Sequence, residues 1–191
     1  MARQRDYQKI ELIYKATQEL VLERGFSGLK MAEVAQKAGL ATGTLYIYFK
    51  DKDDLVNQLY LYLKRQKASL WFQGNNHNDS FHLIFERFWK QFLSVSMENA
   101  SDAAFLEQYY RSPFIKNTVK DESGQLLKPV YDLLDRGKKE GILKNLNSEL
   151  LLAQILGPIH ELVRLHREGT LQITNEVNHD AFNLVWDGIK S

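Results

Sequence analysis

The chain has 191 residues, 44% hydrophobic and 12% aromatic, which is enough apolar surface for one or two domains with a sizeable core and too much for a disordered chain. Its 25 Lys+Arg nearly balance 24 Asp+Glu, a formal net charge of +1, which excludes both an acidic solvating tail and a uniformly basic coat. The absence of cysteine removes thiolate catalysis, disulfide frameworks and cysteine-zinc sites, and fits a reducing compartment.

Basic residues at the N-terminus, Arg3 and Arg5, are followed by no apolar run, so no signal peptide is expected. The first helix is predicted from Tyr7 to Arg24, with Ile10, Ile13, Thr17, Leu20 and Val21 on one stripe and Gly25 as its stop. A short helix then carries Met31, Val34, Ala35 and Ala38 and stops at Gly39, and a third begins near Thr42 and runs to about Phe49. The stretch from Ala38 to Phe49 is charge-free but contains two glycines and falls short of the roughly twenty apolar residues of a membrane span. The expectation is a soluble, cytoplasmic protein with no membrane partner. Asp51 is placed to cap a long fourth helix with Leu55, Leu59, Tyr62 and Leu63 inside, and Asp54 completes a weak capping box.

The turn-rich stretch from Gly74 through Asn75 and Asn76 to Asp79 is the expected boundary between two domains, residues 6–66 and 75–191. Beyond it Phe81, Phe85, Phe88, Phe92 and Val95 share a seven-residue repeat with Trp89 beside it. Ser101 starts a helix holding Phe105, Leu106, Tyr109 and Tyr110, closed by Ser112 and Pro113. A longer helix is predicted from about Phe114 to Glu140, interrupted by Gly124 and Pro129, and Gly137 and Gly141 punctuate its end. Two aliphatic helices follow, Ser148 to about Arg167 and Asn175 to about Ile189. The class is all-α, with about nine helices.

Residues 29–49 carry the most information. They read as a helix, a glycine turn and a second helix, in which Leu45 and Phe49 lie four apart and can anchor to a core, leaving Thr44, Ile47 and Tyr48 on the opposite face. An uncharged outer face of hydroxyl, aliphatic and phenol groups suits a major groove, where apolar groups meet thymine methyls and hydroxyls meet base edges or phosphates. Gly43 allows close approach of the backbone to a phosphate, and Lys52 is placed to hold another. The plainer reading of the same spacing is two short core helices of a bundle.

The segment resembles the DNA-binding domain of the TetR family of bacterial repressors, whose helix-turn-helix has the form Ile-Ala-x-x-Ala-Gly-Val-Ser-x-Gly-Thr-Leu-Tyr-x-Tyr-Phe-x-x-Lys. Val34 and Ala35, Ala38 to Leu40, Gly43 to Tyr46, Tyr48, Phe49 and Lys52 carry the match, and Gly25-Phe26 agrees too. The specific resemblance spans residues 6–66 and extends beyond them only as architecture. It implies that Lys30 touches the DNA backbone, that Thr42, Gly43, Thr44, Tyr46, Ile47 and Tyr48 face DNA, and that Lys52 holds a phosphate. Lys30 stands where the family often has Thr, and Ala41 where it often has Ser, so both caps are altered; Thr42 is then expected to cap one residue late. Arg3, Arg5 and Lys9 form a basic arm that either reaches DNA or is a frayed terminus.

The aromatic stripe of the second domain is either plain core or the wall of an apolar cavity with polar handles. The resemblance implies an effector there, with Phe85, Trp89, Phe105, Tyr109, Phe114 and His160 as candidate lining and an apolar or aromatic small molecule as the partner. The last two helices fit a homodimer interface, which the resemblance implies as a four-helix bundle across a two-fold axis. Leu151, Ile155, Ile159, Leu162, Val177, Leu184 and Val185 are the candidate contacts, or else face the protomer's own core. His160-Glu161 fails as a zinc protease signature because Arg164 stands where the second His is required. The five histidines, 77, 82, 160, 166 and 179, show no helical pairing, Glu161 and Arg164 read as a surface pair, and no catalytic constellation is found. No metal, no cofactor and no enzymatic activity are expected.

The expected function is a ligand-responsive transcriptional regulator, a repressor that binds a palindromic DNA operator as a dimer and is released by a small molecule. The alternative is a helical small-molecule binding protein that has lost operator binding. Charge is split unevenly along the chain. Residues 1–67 carry 12 Lys+Arg against 8 Asp+Glu, and residues 68–191 carry 13 against 16, so a modestly basic reader precedes a mildly acidic remainder.

Overall fold

The computed structural model describes residues 6–74, 79–98 and 100–191. Arg3 and Arg5 of the basic arm, and Asn75, Asn76 and His77 of the expected boundary, lie outside them. The described residues form ten helices and no strand: α1 (Tyr7–Arg24), α2 (Met31–Lys37), α3 (Thr42–Tyr48), α4 (Lys52–Leu70), α5 (Phe81–Glu98), α6 (Ala100–Tyr110), α7 (Asn117–Gln125), α8 (Lys128–Lys139), α9 (Ser148–Arg167) and α10 (Asn175–Ile189). The class is all-α, as the periodicity predicts. The single long helix expected over 114–140 is instead two, α7 and α8. Pro129 stands in the first turn of α8, where its missing N–H removes no helical bond, whereas in the interior of a continuous helix it would both lose a bond and clash.

The chain forms two compact units that are not consecutive in sequence. One is Met1–Arg65 with Ala100–Ser123, and the other is Gln66–Asn99 with Gly124–Ser191. In the first unit α1 buries Ile13, Tyr14, Ala16, Thr17, Leu20 and Val21, and the Thr17 hydroxyl donates to the Ile13 carbonyl at 2.7 Å, so its burial strands no polar group. The predicted stop at Gly25 is there, at φ +73°, its N–H bonded to the Val21 carbonyl. At the start of α4 the Asp51 carboxylate accepts from the Asp54 N–H and the Asp54 carboxylate from the Lys50 N–H, each at 2.8 Å, a capping box shifted by one residue.

Helices α6 and α7 belong to this first unit. α6 packs on α1, and the Gln18 amide donates to Asp102 at 2.7 Å. The ring of Phe26, in the turn after α1, lies 5.8, 5.0 and 6.1 Å from the rings of Phe105, Tyr109 and Phe114. The Tyr60 ring of α4 lies 5.4 Å from that of Tyr109, tilted by 55°, and Arg65 pairs with Glu122.

In the second unit α5 is the central helix. Phe81, Phe85, Phe88, Trp89 and Phe92 are buried against residues of α8, α9 and α10, including Leu134, Ile155, Phe182 and Val185. The Trp89 N–H is satisfied by Asn178 of α10 at 2.8 Å. Gly137 does not punctuate a helix end, as its sequence position suggests, but lies buried inside α8. A Cβ there would come within 2.7 Å of both Leu143 and the Phe81 ring, so glycine is required by close packing. The chain end is pinned by an antiparallel bridge between Leu143 and Lys190, with the Lys144 N–H donating to the Ile189 carbonyl and the Ser191 N–H to the Ile142 carbonyl, each at 2.9 Å.

Candidate nucleic-acid interface

The turn between α2 and α3 is set by Gly39, at φ +69°, a conformation costly for any residue with a Cβ. The Leu40 N–H bonds back to the Ala35 carbonyl at 2.9 Å and the Gly39 N–H to that of Gln36 at 3.1 Å, the two bonds of a Schellman closure. The chain therefore leaves α2 sharply enough for α3 to begin three residues later. Leu45 and Phe49 then sink into the core, each burial worth about 1.5–3 kcal/mol, and fix the face that α3 turns outward.

That outer face carries no charge. Tyr46 is 55% and Ile47 59% exposed, Thr42 and Gly43 are exposed, and Thr44 and Tyr48 are half-buried at its margins. A large aliphatic side chain left in water on so short a helix gains nothing within the protomer. A Cβ on Gly43 would meet no atom within 4 Å, so no internal contact demands glycine in the first turn, where it costs roughly 1 kcal/mol relative to alanine. Both features fit a surface approached closely by a partner.

The flanking cations are of two kinds. Lys37 is tied to Glu23 at 2.8 Å and Glu19 at 3.3 Å, and the hydrogen bond from Glu23 above all raises its affinity for the proton. Lys30 precedes α2 with its side chain 74% exposed, held loosely by Glu33 at 3.5 Å. Lys50, which the sequence reading passed over, follows α3, is exposed, and makes no ion pair among the described residues; its position one residue beyond the Phe49 anchor is the signal that could have marked it. Lys52 is turned inward instead, its Nζ 3.4 Å from the Phe26 carbonyl and 5.8 Å from the centre of the Phe114 ring. Thr42 does not cap α3. The capping position is Ala41, which has no side-chain acceptor to offer, and Lys30 likewise leaves α2 uncapped.

Two buried anchors behind a glycine turn thus hold α3 with its uncharged face outside. The family model described as "Bacterial regulatory proteins, tetR family" matches residues 13–59, and the one described as "Tetracyclin repressor-like, C-terminal domain" matches residues 81–190. The chain belongs to the tetR family. Among its relatives, an HTH-type transcriptional regulator of Haemophilus influenzae is 28% identical over 142 residues, 74% of each chain. The crystal structure of a TetR family transcription regulator from Marinobacter aquaeolei superposes with a TM-score of 0.89 at 26% identity over 99% of both chains. The Bacillus subtilis regulator FadR, solved with stearoyl-CoA, shares the fold with a TM-score of 0.73 at 21% identity, over 94% of this chain and 98% of its own. As a tetR-family protein the chain is a ligand-responsive, DNA-binding transcriptional regulator, and α2 and α3 form its helix-turn-helix. No described helix is long and apolar enough to cross a membrane.

The remaining candidate residues of this tetR-family chain fall in different parts of the fold. Phe85 and Trp89 lie in the core of the second unit, Phe105 and Tyr109 in that of the first, Phe114 is half-buried in the first, and His160 is exposed in the second. Tyr109 and Phe114 do share a cleft of about 10 Å³ with Phe26, Lys52, Asp53 and Val56, room for about one water. Burial, followed by the nearby Asp53 charge, raises the Tyr109 phenol well above its ordinary pKa, so it stays protonated. Of the dimer candidates, Leu151, Ile155, Ile159 and Val185 are buried in the protomer's own core and are unavailable to a partner. Leu162 and Val177 are half-buried, and Leu184 is 76% exposed. Most of the apolar stripe identified from sequence is therefore the inner face of α9 and α10, with Leu184 outside it. Glu161 and Arg164 form the expected surface pair. No group of three or more potential metal ligands occurs among the described residues.

Proposed function

We propose that this regulator is a cytoplasmic repressor that binds a palindromic operator as a homodimer, with α3 of each protomer in a major groove, and leaves DNA when a small molecule with an apolar or aromatic portion binds. The observation that carries the reading is the outer face of α3. Thr42 to Tyr48 contains no Arg, Lys, Asn, Gln, Asp or Glu, so the bidentate contacts that commonly read guanine and adenine are absent from it. What remains is apolar contact with thymine methyls by Ile47 and hydroxyl contacts from Thr44 and Tyr46, with Lys30 and Lys50 on the flanking phosphates. The dimer contact is assigned to the outer faces of α9 and α10, around Leu150 and Leu184, both large and exposed. The aromatic make-up of the chain, and the stearoyl-CoA held by the Bacillus subtilis neighbour, make acyl-CoA thioesters, with their apolar acyl chain, the first effector class to screen.

The test is binding to duplexes enriched from a random pool, with deoxyuridine then replacing thymidine throughout each half-site. Loss of the methyls is expected to weaken binding several-fold, and Ile47→Ala to remove that sensitivity, while Lys30→Ala weakens all sequences alike. Enriched duplexes indifferent to the methyl would refute the role of Ile47. A chain that enriches no duplex would instead be the binding protein without an operator.

A further inference from the structure

Lys52 opens α4 close to the recognition helix in sequence, yet its ammonium occupies a seat inside the first unit. The Phe26 carbonyl accepts from it at 3.4 Å, and the Phe114 ring lies beneath it at 5.8 Å. The two partners come from distant parts of the chain. Phe26 belongs to the turn after α1, and Phe114 to the connection between α6 and α7, within the stretch matched by the C-terminal family model. The seat is itself braced, because the Tyr109 hydroxyl donates to the Phe114 carbonyl at 3.2 Å, the Phe114 N–H donates to Ser112 Oγ at 3.3 Å, and the Phe114 ring packs on that of Phe26. A lysine ammonium is a compact, strongly hydrated charge on a flexible stem, so a carbonyl and a ring face that replace part of its hydration hold it without locking it.

We propose that this seat is a gate on DNA binding. Phe114 holds the Lys52 ammonium away from the duplex and so sets how readily it meets a phosphate, which makes Phe114 a positioning residue for DNA binding. The inference rests on the DNA-binding reading of the first unit. Lys52 divides its time between the seat and an outward position, and weakening the ring contact shifts it outward. Any event that displaces residues 109–114 changes the same balance. By thermodynamic reciprocity, a phosphate that captures Lys52 also loosens the hold on that segment.

The experiment uses the full chain as wild type, Phe114→Leu and Phe114→Trp, each also carrying Lys52→Ala. Acetylation of Lys52 by acetic anhydride, without DNA and relative to the other lysines, reports exposure of the ammonium. Affinity for a short mixed-sequence duplex, measured across a low-salt series, counts phosphate contacts. Phe114→Leu is expected to raise Lys52 labelling and duplex affinity by about three- to tenfold and to steepen the salt dependence by about one unit per protomer. Phe114→Trp, which keeps a ring for the cation, should restore wild-type behaviour, and Phe114→Leu should have no effect on affinity once Lys52 is alanine. Unchanged Lys52 labelling in Phe114→Leu, or an equal affinity gain in the Lys52→Ala background, would overturn the gate. Failure of every variant to bind duplex at low salt would refute the DNA-binding reading, and the labelling result would still decide whether the seat holds Lys52.

Discussion

Gly137 and Ile47 illustrate opposite uses of a single residue. Gly137 leaves no room for a side chain inside the protomer: a methyl group there meets Leu143 and the Phe81 ring at 2.7 Å, distances that real Cβ atoms do not tolerate. Alanine would gain roughly 1 kcal/mol of helix propensity in α8 but would force core side chains out of place, at about 1–3 kcal/mol. Gly137→Ala is therefore expected to lower unfolding free energy by up to about 2 kcal/mol in urea titrations, and a stabilised variant would contradict the packing account. Ile47, by contrast, leaves its apolar surface in water on the outer face of the helix-turn-helix, where it is available to a partner. From sequence the outward place of Ile47 is legible, because Leu45 and Phe49 fix the opposite face, whereas the reason for Gly137 is not. A glycine near a helix end reads as punctuation until the neighbouring ring is seen, and Lys52 reads as a free cation until its ammonium is found over Phe114.

At the scale of the element, α3 is short and uncapped, with Ala41 where a hydroxyl would accept from the first-turn N–H groups. Its persistence rests on Leu45 and Phe49 rather than on its own ends. Ala41→Ser is expected to stabilise the unit by about 0.5–1 kcal/mol, visible as a raised thermal midpoint, whereas an unchanged midpoint would mean that packing already holds the helix fully. The helices themselves were legible because their apolar period is strong, and α1, α9 and α10 appear with the predicted bounds. The split of α7 from α8 was not, since a helix interrupted by Gly124 and Pro129 and two helices joined at them have the same sequence signature. Which face of α9 and α10 turns inward was also illegible. An aliphatic stripe serves a protomer core and a dimer core equally well, and only the burial of Leu151, Ile155 and Ile159 distinguishes them.

For the whole molecule, the near-neutral charge conceals a division of labour in which a basic N-terminal stretch reads DNA. The association of α6 and α7 with that stretch gives the part of the sequence matched by the C-terminal family model a direct physical hold on the reader. No periodicity could show this, because Phe105 and Tyr109 look like core residues whichever core they enter. Dimerisation is expected to run through the outer face of α10, so Leu184→Glu should yield monomers in sedimentation experiments and reduce operator affinity at least tenfold while leaving helical content unchanged; a variant that remains dimeric would move the interface elsewhere. The measurement that bears most directly on the central claim is the ratio of affinities for an enriched palindromic duplex and for mixed-sequence DNA at physiological salt. The account predicts a preference of about a thousandfold or more, carried by α3 and lost in Ile47→Ala with Thr44→Ala; equal affinity for both duplexes would contradict it.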